Sequence, residues 1–250
     1  MLADGGWRVD VSVRSGVFQD RTTWFGVSGD AKYGRDPYEQ PKPRHIFGVP
    51  DVFFNYPDWD KEYTEFATDV RPGINETEVW DINLRSEAKQ PCDIEFHGLS
   101  EVPSGLAVYL LDDGAGRYVD LRKEAMYSLT PFVPITKLHI LVGNAYRVKE
   151  KIDSALPREF ALLPNYPNPF NPSTTIPVVV PKRGRVTLEI YNTLGQRVKQ
   201  LVNAEWEAGI HYVEWAGTNE SDGMAASGVY YCVLRAGTSL KATRTLVMLK

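Results

Sequence analysis

The chain has 250 residues, a length that suits one large domain or two ordinary ones. Its 28 basic and 32 acidic side chains give a formal charge of −4, a mild balance that argues against a nucleic-acid-binding stripe or a disordered acidic tail. With 43% hydrophobic residues the chain has enough apolar material for a packed core. Two cysteines exclude a disulfide scaffold and a four-cysteine zinc site.

The sequence contains no transmembrane or signal-peptide pattern. No apolar run approaches the roughly 18–20 residues that cross a bilayer as a helix. The first residues lack the basic and apolar regions of a secretory signal. We therefore expect a cytosolic protein, a mature form, or a fragment without its export signal.

The first 155 residues predict short strands joined by turns. Trp7, Val9, Val11 and Val13 alternate with polar residues, which is the pattern of a half-buried strand. Seventeen prolines spread through the chain disfavour long helices, and few windows show helical periodicity beyond two turns. These features predict an all-β fold. Further strands are predicted at residues 49–55, 77–84, 92–97, 106–111, 118–121 and 137–142.

A change in composition near residue 155 predicts two β-sandwich domains. The prolines from Pro157 to Pro172 force extended or turn geometry, which favours a connecting segment over a central strand. Residues 1–160 carry 19 basic and 26 acidic side chains (−7), and residues 161–250 carry 9 and 6 (+3), which together give −4. We predict domains at 1–155 and 173–250, joined by a Pro-rich linker and lead-in segment at 156–172.

The second domain has the strand spacing of an immunoglobulin-like sandwich. Residues 192–196 form a hairpin turn that contains Gly195, and Pro177 should restrict its own strand to a sheet edge or a bulge. The strands are predicted at 174–180, 185–191, 197–202, 210–215, 228–235 and 242–249.

Residues 163–250 also carry the motifs of a known family. Residues 165–176 read NYPNPFNPSTTI, residues 190–198 read IYNTLGQRV, and ASGVY and LVMLK follow at 226–230 and 246–250. In kind, order and position these stretches resemble the C-terminal type A sorting domain of proteins exported by the type IX secretion system. That domain is related to the immunoglobulin-like domain of a flagellar hook-capping protein.

The resemblance implies a secreted or outer-surface bacterial protein whose C-terminal domain is read by the outer-membrane secretion machinery. Ala216 and Cys232 depart from the family, which usually has an aspartate and an aromatic residue there. The alternative is an adhesive or spacer module in which the same residues are only turn and core positions. The resemblance assigns the sorting motif to Asn165, Tyr166, Pro167, Asn168, Pro169, Phe170, Asn171, Pro172, Gly195, Gly228, Val229, Tyr230 and Lys250.

Aromatic residues are the first candidate ligand-binding feature of the N-terminal domain. Tyr56 and Trp59 flank a Pro-Asp turn, where exposed rings can stack on a sugar. The alternative is that the aromatic residues of this region build the sandwich core. A sandwich core is the favoured interpretation of these aromatic residues, and Tyr56 with Trp59 is the best candidate among them for an exposed carbohydrate-binding platform.

Acidic residues are the second candidate. Asp112, Asp113 and Asp120 surround a Gly-rich hairpin, and calcium prefers carboxylate and carbonyl oxygens from such loops. Ordinary turn chemistry explains the same residues, because aspartate and glycine favour tight turns. Calcium is the single cofactor that the sequence suggests.

Catalytic patterns are scarce. The sequence has no Gly-x-Ser-x-Gly elbow or His-Glu-x-x-His, and His45, His97 and His139 lie far apart. We predict a non-enzymatic surface module whose C-terminal domain is an export and sorting signal and whose N-terminal sandwich is a spacer or display domain. A polysaccharide or another surface protein is the expected partner of that sandwich, and no nucleic acid is expected. A carbohydrate-binding module and a small secreted hydrolase are the alternatives.

Overall fold

The computed structural model describes residues 5–87, 90–156 and 158–249. These residues form two compact units, one from residues 5–114 and 118–155 and the other from 115–117 and 156–249. Each unit has its own hydrophobic core. Within the described ranges, no helix has the length and apolar character needed to cross a membrane.

The first unit is a sandwich of two sheets. Its strands are β1 (Trp7–Ser15), β2 (Phe18–Val27), β3 (Asp51–Asn55), β4 (Glu65–Phe66), β5 (Thr68–Arg71), β6 (Thr77–Arg85), β7 (Cys92–His97), β8 (Ala107–Asp112), β9 (Arg117–Asp120), β10 (Met126–Leu129) and β11 (Ile135–Gly143). One sheet has the order β10-β7-β1-β2-β5, in which β2 and β5 are parallel. The other has the order β4-β3-β6-β11-β8-β9.

The core of the first unit lies between these sheets. Trp7, Val9, Val11 and Val13 of β1 are all buried, as their alternation predicts. Across the core, Trp80 of β6 is fully buried, with its ring 6.1 Å from that of Trp7. Apolar side chains from both sheets therefore pack together in one hydrophobic core, and burying this core holds the two sheets face to face as a sandwich.

The first unit ends in a helix that the sequence does not predict. Helix α1 (Ala145–Ala155) begins after Asn144, whose Oδ1 accepts hydrogen bonds from the Tyr146 N–H at 3.0 Å and the Arg147 N–H at 3.4 Å. Its buried residues are Val148 and Ile152, four positions apart on one face. The sequence shows few windows of helical periodicity beyond two turns, and this helix is not among the predicted elements, because two buried apolar positions give too weak a periodic signal. The all-β sandwich class is nevertheless confirmed.

The second unit is a smaller antiparallel sandwich. Its strands are β12 (Ala161–Leu162), β13 (Thr174–Val180), β14 (Gly184–Asn192), β15 (Arg197–Trp206), β16 (Gly209–Trp215), β17 (Gly228–Ala236) and β18 (Ser239–Met248). One sheet has the order β12-β13-β16 and the other β15-β14-β17-β18. Alternate residues of β14, Val186, Leu188 and Ile190, are fully buried in the core between the sheets.

The strand that contains Pro177 is not at a sheet edge, contrary to the prediction. Strand β13 lies between β12 and β16, and Pro177 is paired with Tyr212 of β16. On the other side the Pro177 carbonyl accepts from the Leu163 N–H at 3.0 Å, but proline has no N–H to donate in return. The ladder of β12 ends at Leu162 for this reason, so the proline shortens the neighbouring strand instead of excluding it.

Candidate functional site

The candidate site lies where the chain leads into the second unit, in the predicted linker and lead-in segment 156–172. From β12 onward this segment packs on the unit. The buried Asn165 side chain donates from Nδ2 to Thr174 Oγ1 at 2.8 Å and to the Pro167 carbonyl at 3.2 Å. The Thr174 hydroxyl donates to the same carbonyl at 2.7 Å. Residues 165–172 are therefore part of the folded unit and not a free linker.

The same segment holds the end of the last strand. The Phe170 N–H donates to the Val247 carbonyl at 3.0 Å, and the Leu249 N–H donates to the Phe170 carbonyl at 2.9 Å. Asn168 Oδ1 accepts a third hydrogen bond, from the Val247 N–H at 2.9 Å. Since β18 pairs with β17 on its other side, its end is hydrogen-bonded on both sides.

We call residues 165–172 and 246–249 together the C-terminal clasp, and Phe170 is its anchor. The Phe170 side chain is 1% exposed, and its ring centroid lies 5.4 Å from that of Trp215. The Trp215 ring in turn lies 5.0 Å from the ring of the buried Tyr230. Phe170 and Tyr230, which the resemblance assigns to the sorting motif, are thus core residues beneath the clasp.

A glycine outside the assigned motif allows the clasp to close. Gly217 has a φ of 66°, and a Cβ atom there would lie 2.7 Å from both the Pro172 carbonyl oxygen and Met248 Cε. A side chain at this position would therefore push the two halves of the clasp apart. Sequence reasoning gave neither Gly217 nor Thr174 a role of its own, because these roles appear only when the fold brings the two residues beside the proline-rich segment.

The turn between β14 and β15 is built by a local hydrogen-bond pattern. Asn192 Oδ1 accepts from the backbone N–H groups of Leu194 and Gln196, both at 3.0 Å. Gly195 has a φ of 73°, a conformation that favours glycine. This motif residue is therefore needed for the shape of the turn.

Other motif residues face solvent. Tyr166 is 77% exposed, and Leu194, in the turn above, is 81% exposed. Gly228 and Val229 open β17, and Lys250 lies outside the described residues. Tyr166 thus offers exposed apolar surface on the clasp, and Leu194 offers it on the turn. The other exposed residues of the motif are Pro167, Asn168, Pro169, Asn171, Pro172, Gly195, Gly228 and Val229.

In the first unit, Tyr56 and Trp59 stack on one another, with ring centroids 3.7 Å apart and planes 18° apart. Both are half-buried against the core, and the Tyr56 hydroxyl donates to Asp69 Oδ2 at 2.5 Å. Burial and the charge of Asp69 raise the pKa of Tyr56. Trp59 borders an open depression of about 670 Å³. The polar tip of the tyrosine is thus occupied within the protein, and the tryptophan is the member of the pair that faces open space.

The three predicted calcium ligands have separate partners. Asp112 is buried and accepts a hydrogen bond from the Tyr127 hydroxyl at 2.9 Å. Asp113 Oδ1 lies 3.5 Å from His139 Nε2, and Asp120 pairs at 3.0 Å with the lysine three residues later. In the part of the chain that the structure describes, no group of three His, Cys, Asp or Glu side chains is arranged to hold a metal ion.

His139 forms a charge cluster that sequence reasoning did not find. Its Nδ1 lies 2.7 Å from Asp81 Oδ1 on β6, and its Nε2 faces Asp113 beyond the end of β8. Hydrogen bonds to Asp113 and Asp81 raise the pKa of His139 to about 9, and the bond to His139 lowers the pKa of Asp113. The three residues are distant in sequence, and only the strand register brings them together.

We expect this cluster to stabilise the first unit at neutral pH and to weaken in alkali. Because the folded pKa of about 9 exceeds the ordinary value of 6.5, the contribution is complete below pH 6.5 and is lost as pH rises through 9. Solvent screens the exposed carboxylates, so the contribution is about 1–2 kcal/mol. His139→Gln should flatten the pH dependence of the unfolding free energy in urea over this window. His211→Gln in the second unit is the control, and an unchanged slope in His139→Gln would refute the assignment.

A cleft of about 420 Å³ bears on the hydrolase alternative, because Ser12, Glu95 and His97 line it. Ser12 Oγ lies 3.3 Å from His97 Nε2, and Glu95 Oε2 lies 3.6 Å from the same nitrogen. A nucleophilic relay needs the serine and the carboxylate on opposite ring nitrogens. The group therefore lacks the geometry of a serine hydrolase triad.

Comparison with known families finds a match within the second unit. Residues 177–239 match the family described as the FlgD Ig-like domain. The immunoglobulin-like character expected of this unit is thus supported at the level of the fold. The match begins after the lead-in half of the clasp and ends before its second half. A search of curated proteins found no match.

Solved structures similar to the chain have low identities and low TM-scores. PorZ of Porphyromonas gingivalis, described as an essential bacterial surface component of the type IX secretion system, is 16% identical over 44% of this chain and 14% of PorZ (TM-score 0.26). Dimeric latent PorU of the same organism is 12% identical over 98% of this chain and 30% of PorU (TM-score 0.31). A Ruminococcus gnavus β-glucuronidase is 8% identical over 67% of this chain and 34% of the β-glucuronidase (TM-score 0.22). The chain thus spans less than a third of the length of PorZ and of PorU.

Proposed function

We propose that this protein is a non-enzymatic module of the bacterial outer surface whose C-terminal immunoglobulin-like domain acts as its export and sorting signal. In this proposal the outer-membrane secretion machinery reads that domain, and the N-terminal sandwich serves as a spacer or display domain. One observation carries the proposal. The segment 165–172, which resembles the sorting domain most closely, is also the segment that forms hydrogen bonds with the end of β18.

The C-terminal clasp gives the motif a physical role that suits recognition. A receptor binds a fixed surface at lower entropic cost than a mobile one. The clasp holds the end of β18 on both sides, while Tyr166 and Leu194 leave apolar side chains exposed for contact. The match to the FlgD Ig-like domain supports the fold of the unit independently, because residues 165–172 lie outside it.

Removal of residues 161–250 is expected to trap the protein inside the cell envelope of a bacterium that has a type IX secretion system. The truncated chain loses the proposed signal, whereas the first unit keeps the complete core cluster that holds it together. Cell fractionation combined with protease accessibility on intact cells measures the distribution of a tagged chain. Full surface delivery of the truncated chain would contradict the proposal.

The reciprocal experiment joins residues 156–250 to an unrelated folded carrier. Delivery of the carrier to the cell surface is the expected result, and Gly217→Val in the same fusion should abolish it by opening the clasp. If the carrier stays in the periplasm with an intact clasp, the domain is not a sufficient signal.

Carbohydrate binding by the first unit is the second candidate function, and the position of Trp59 beside the open depression favours it. We expect Trp59→Ala to abolish retention of the protein in affinity electrophoresis through a polysaccharide gel, because the stacking surface for a sugar ring is lost. Trp206→Ala is the matched control, since it removes a half-buried tryptophan from the other unit. Mobility that is unaffected by a broad panel of glycans would dismiss this function.

A further inference from the structure

A buried lysine and a buried aspartate meet in the first unit, away from the features described above. Lys42 Nζ lies 2.6 Å from Asp20 Oδ2, and the two side chains are only 3% and 10% exposed. The hydroxyl oxygens of Thr22 and Thr23 lie 2.7 and 2.8 Å from the same Nζ. In surroundings with so little water, the neutral amine and neutral carboxyl compete with the ion pair.

The Asp20 carboxyl group is held at both of its oxygens. Oδ1 accepts from the Thr22 N–H at 3.0 Å and from the Thr22 hydroxyl at 2.7 Å. Oδ2 lies 3.3 Å from the Val52 N–H, which donates to it. The donors at Oδ1 are placed to stabilise the negative charge that forms on this oxygen when a nucleophile adds to Cγ. The carboxyl carbon is thus fixed in position beside an amine.

We propose that Lys42 and Asp20 become joined by an intramolecular amide bond between Nζ and Cγ. The ammonium group first passes one proton to Oδ2 across the 2.6 Å contact. Nζ then adds to Cγ, and Oδ1 takes the negative charge. The C–Oδ2 bond breaks, and Oδ2 leaves as water with the first proton and a second one from Nζ. The three ammonium protons end as one amide N–H and two hydrogens of water, so that no oxidant or other reactant is consumed.

A second carboxyl group, that of Asp51, interacts electrostatically with both Lys42 and Asp20, and in this proposal it carries the second proton. Asp51 directly precedes Val52, whose N–H binds Asp20, and it is 6% exposed. Asp51 Oδ1 accepts no hydrogen bond from the described residues and lies 3.4 Å from His45 Nδ1, while Oδ2 accepts from Arg85 Nη1 at 3.4 Å. Burial raises the pKa of Asp51 and lowers that of Lys42. Both shifts favour the neutral forms of these two groups. Burial also acts on Asp20, but the hydrogen bond and charge of Lys42 keep the pKa of the Asp20 carboxyl below its ordinary value, so Asp20 takes the proton from Nζ against this shift.

The bond would join the two sheets of the sandwich covalently. Asp20 belongs to β2 of the five-stranded sheet. Lys42 lies on the segment beside β4 of the six-stranded sheet, where its N–H donates to the Glu65 carbonyl at 2.9 Å. Such a link resists separation of the sheets.

Intact-mass spectrometry of the denatured full-length chain tests the proposal. The expected mass is lower than that of the sequence by about 18 Da, one water. Tryptic digestion should yield one branched peptide that combines residues 15–21 and 36–44, with fragment ions that place the link between Asp20 and Lys42. A mass equal to that of the sequence, both after purification and after prolonged incubation at 37 °C, would overturn the proposal.

Three comparisons make the test specific. Lys42→Arg keeps the charge and should restore the full mass; a water loss that persists in this variant would place the dehydration elsewhere and overturn the proposal. Asp51→Asn should slow the formation of the link several-fold or more. Lys199 and Asp222 are also 2.6 Å apart, but Asp222 is 83% exposed, so this pair should remain unlinked in the same digest. If Lys42→Arg fails to fold, the branched peptide of the unaltered chain still decides the outcome.

Discussion

Replacement of Phe170 by alanine is expected to lower the free energy of unfolding of the second unit by about 3–5 kcal/mol, the usual cost of truncating a buried phenylalanine. The ring is 1% exposed and packs on Trp215, so alanine leaves a cavity beneath the clasp. A loss of this size removes much of the stability of a small domain. Native-state hydrogen exchange of the amides in β17 measures it without interference from the first unit.

Tyr166, another residue of the clasp, provides a matched control for the effect of Phe170→Ala on stability. Tyr166→Ala removes a side chain that is 77% exposed and should change the unfolding free energy by no more than about 0.5 kcal/mol. Surface delivery should fall in Phe170→Ala along with stability. Equal protection of the β17 amides in the two variants would show that the clasp does not depend on its phenylalanine anchor.

Replacement of Lys42 by methionine is expected to destabilise the first unit by about 3–5 kcal/mol, because it leaves the Asp20 carboxylate buried without its cation. Both side chains are at least nine-tenths buried, so solvent cannot replace the lost charge. Urea unfolding at pH 7, monitored by hydrogen exchange of β2 amides, gives the magnitude.

The charge of Asp20 explains this loss, and a second substitution checks the explanation. In Lys42→Met the folded-state pKa of Asp20 should rise above its ordinary value of 3.8, so the destabilisation should be largest at neutral pH and should shrink as pH falls toward 4. Lys42→Met combined with Asp20→Leu should recover more than half of the lost stability at pH 7, since no buried charge remains. A double variant as unstable as the single one would point to lost packing of the lysine stem instead.

The strands of the second unit could be predicted from sequence because their signals are local. Val186, Leu188 and Ile190 alternate with polar residues, and the asparagine and glycine of the 192–196 turn define its shape within five positions. The motif 165–172 could likewise be assigned by resemblance, and its anchor Phe170 is the residue on which the clasp depends.

What could not be predicted depends on contacts between distant positions. The hydrogen bond from the Val247 N–H to Asn168 spans 79 positions, and nothing in either segment alone points to the other. The same holds for His139 with Asp81, 58 positions apart. Helix α1 was missed for a different reason: its stability comes from burying Val148 and Ile152 on the sandwich and not from a strong pattern of its own.

The direction of the two segments in the clasp has a mechanical consequence. Phe170 and Met248 lie side by side in parallel orientation, so the chain runs the same way where it enters the domain and where it ends. A force that pulls the domain by its two ends therefore drags these segments past one another lengthwise. The hydrogen bonds at Asn168, Phe170 and Leu249 then bear the load together instead of opening one at a time.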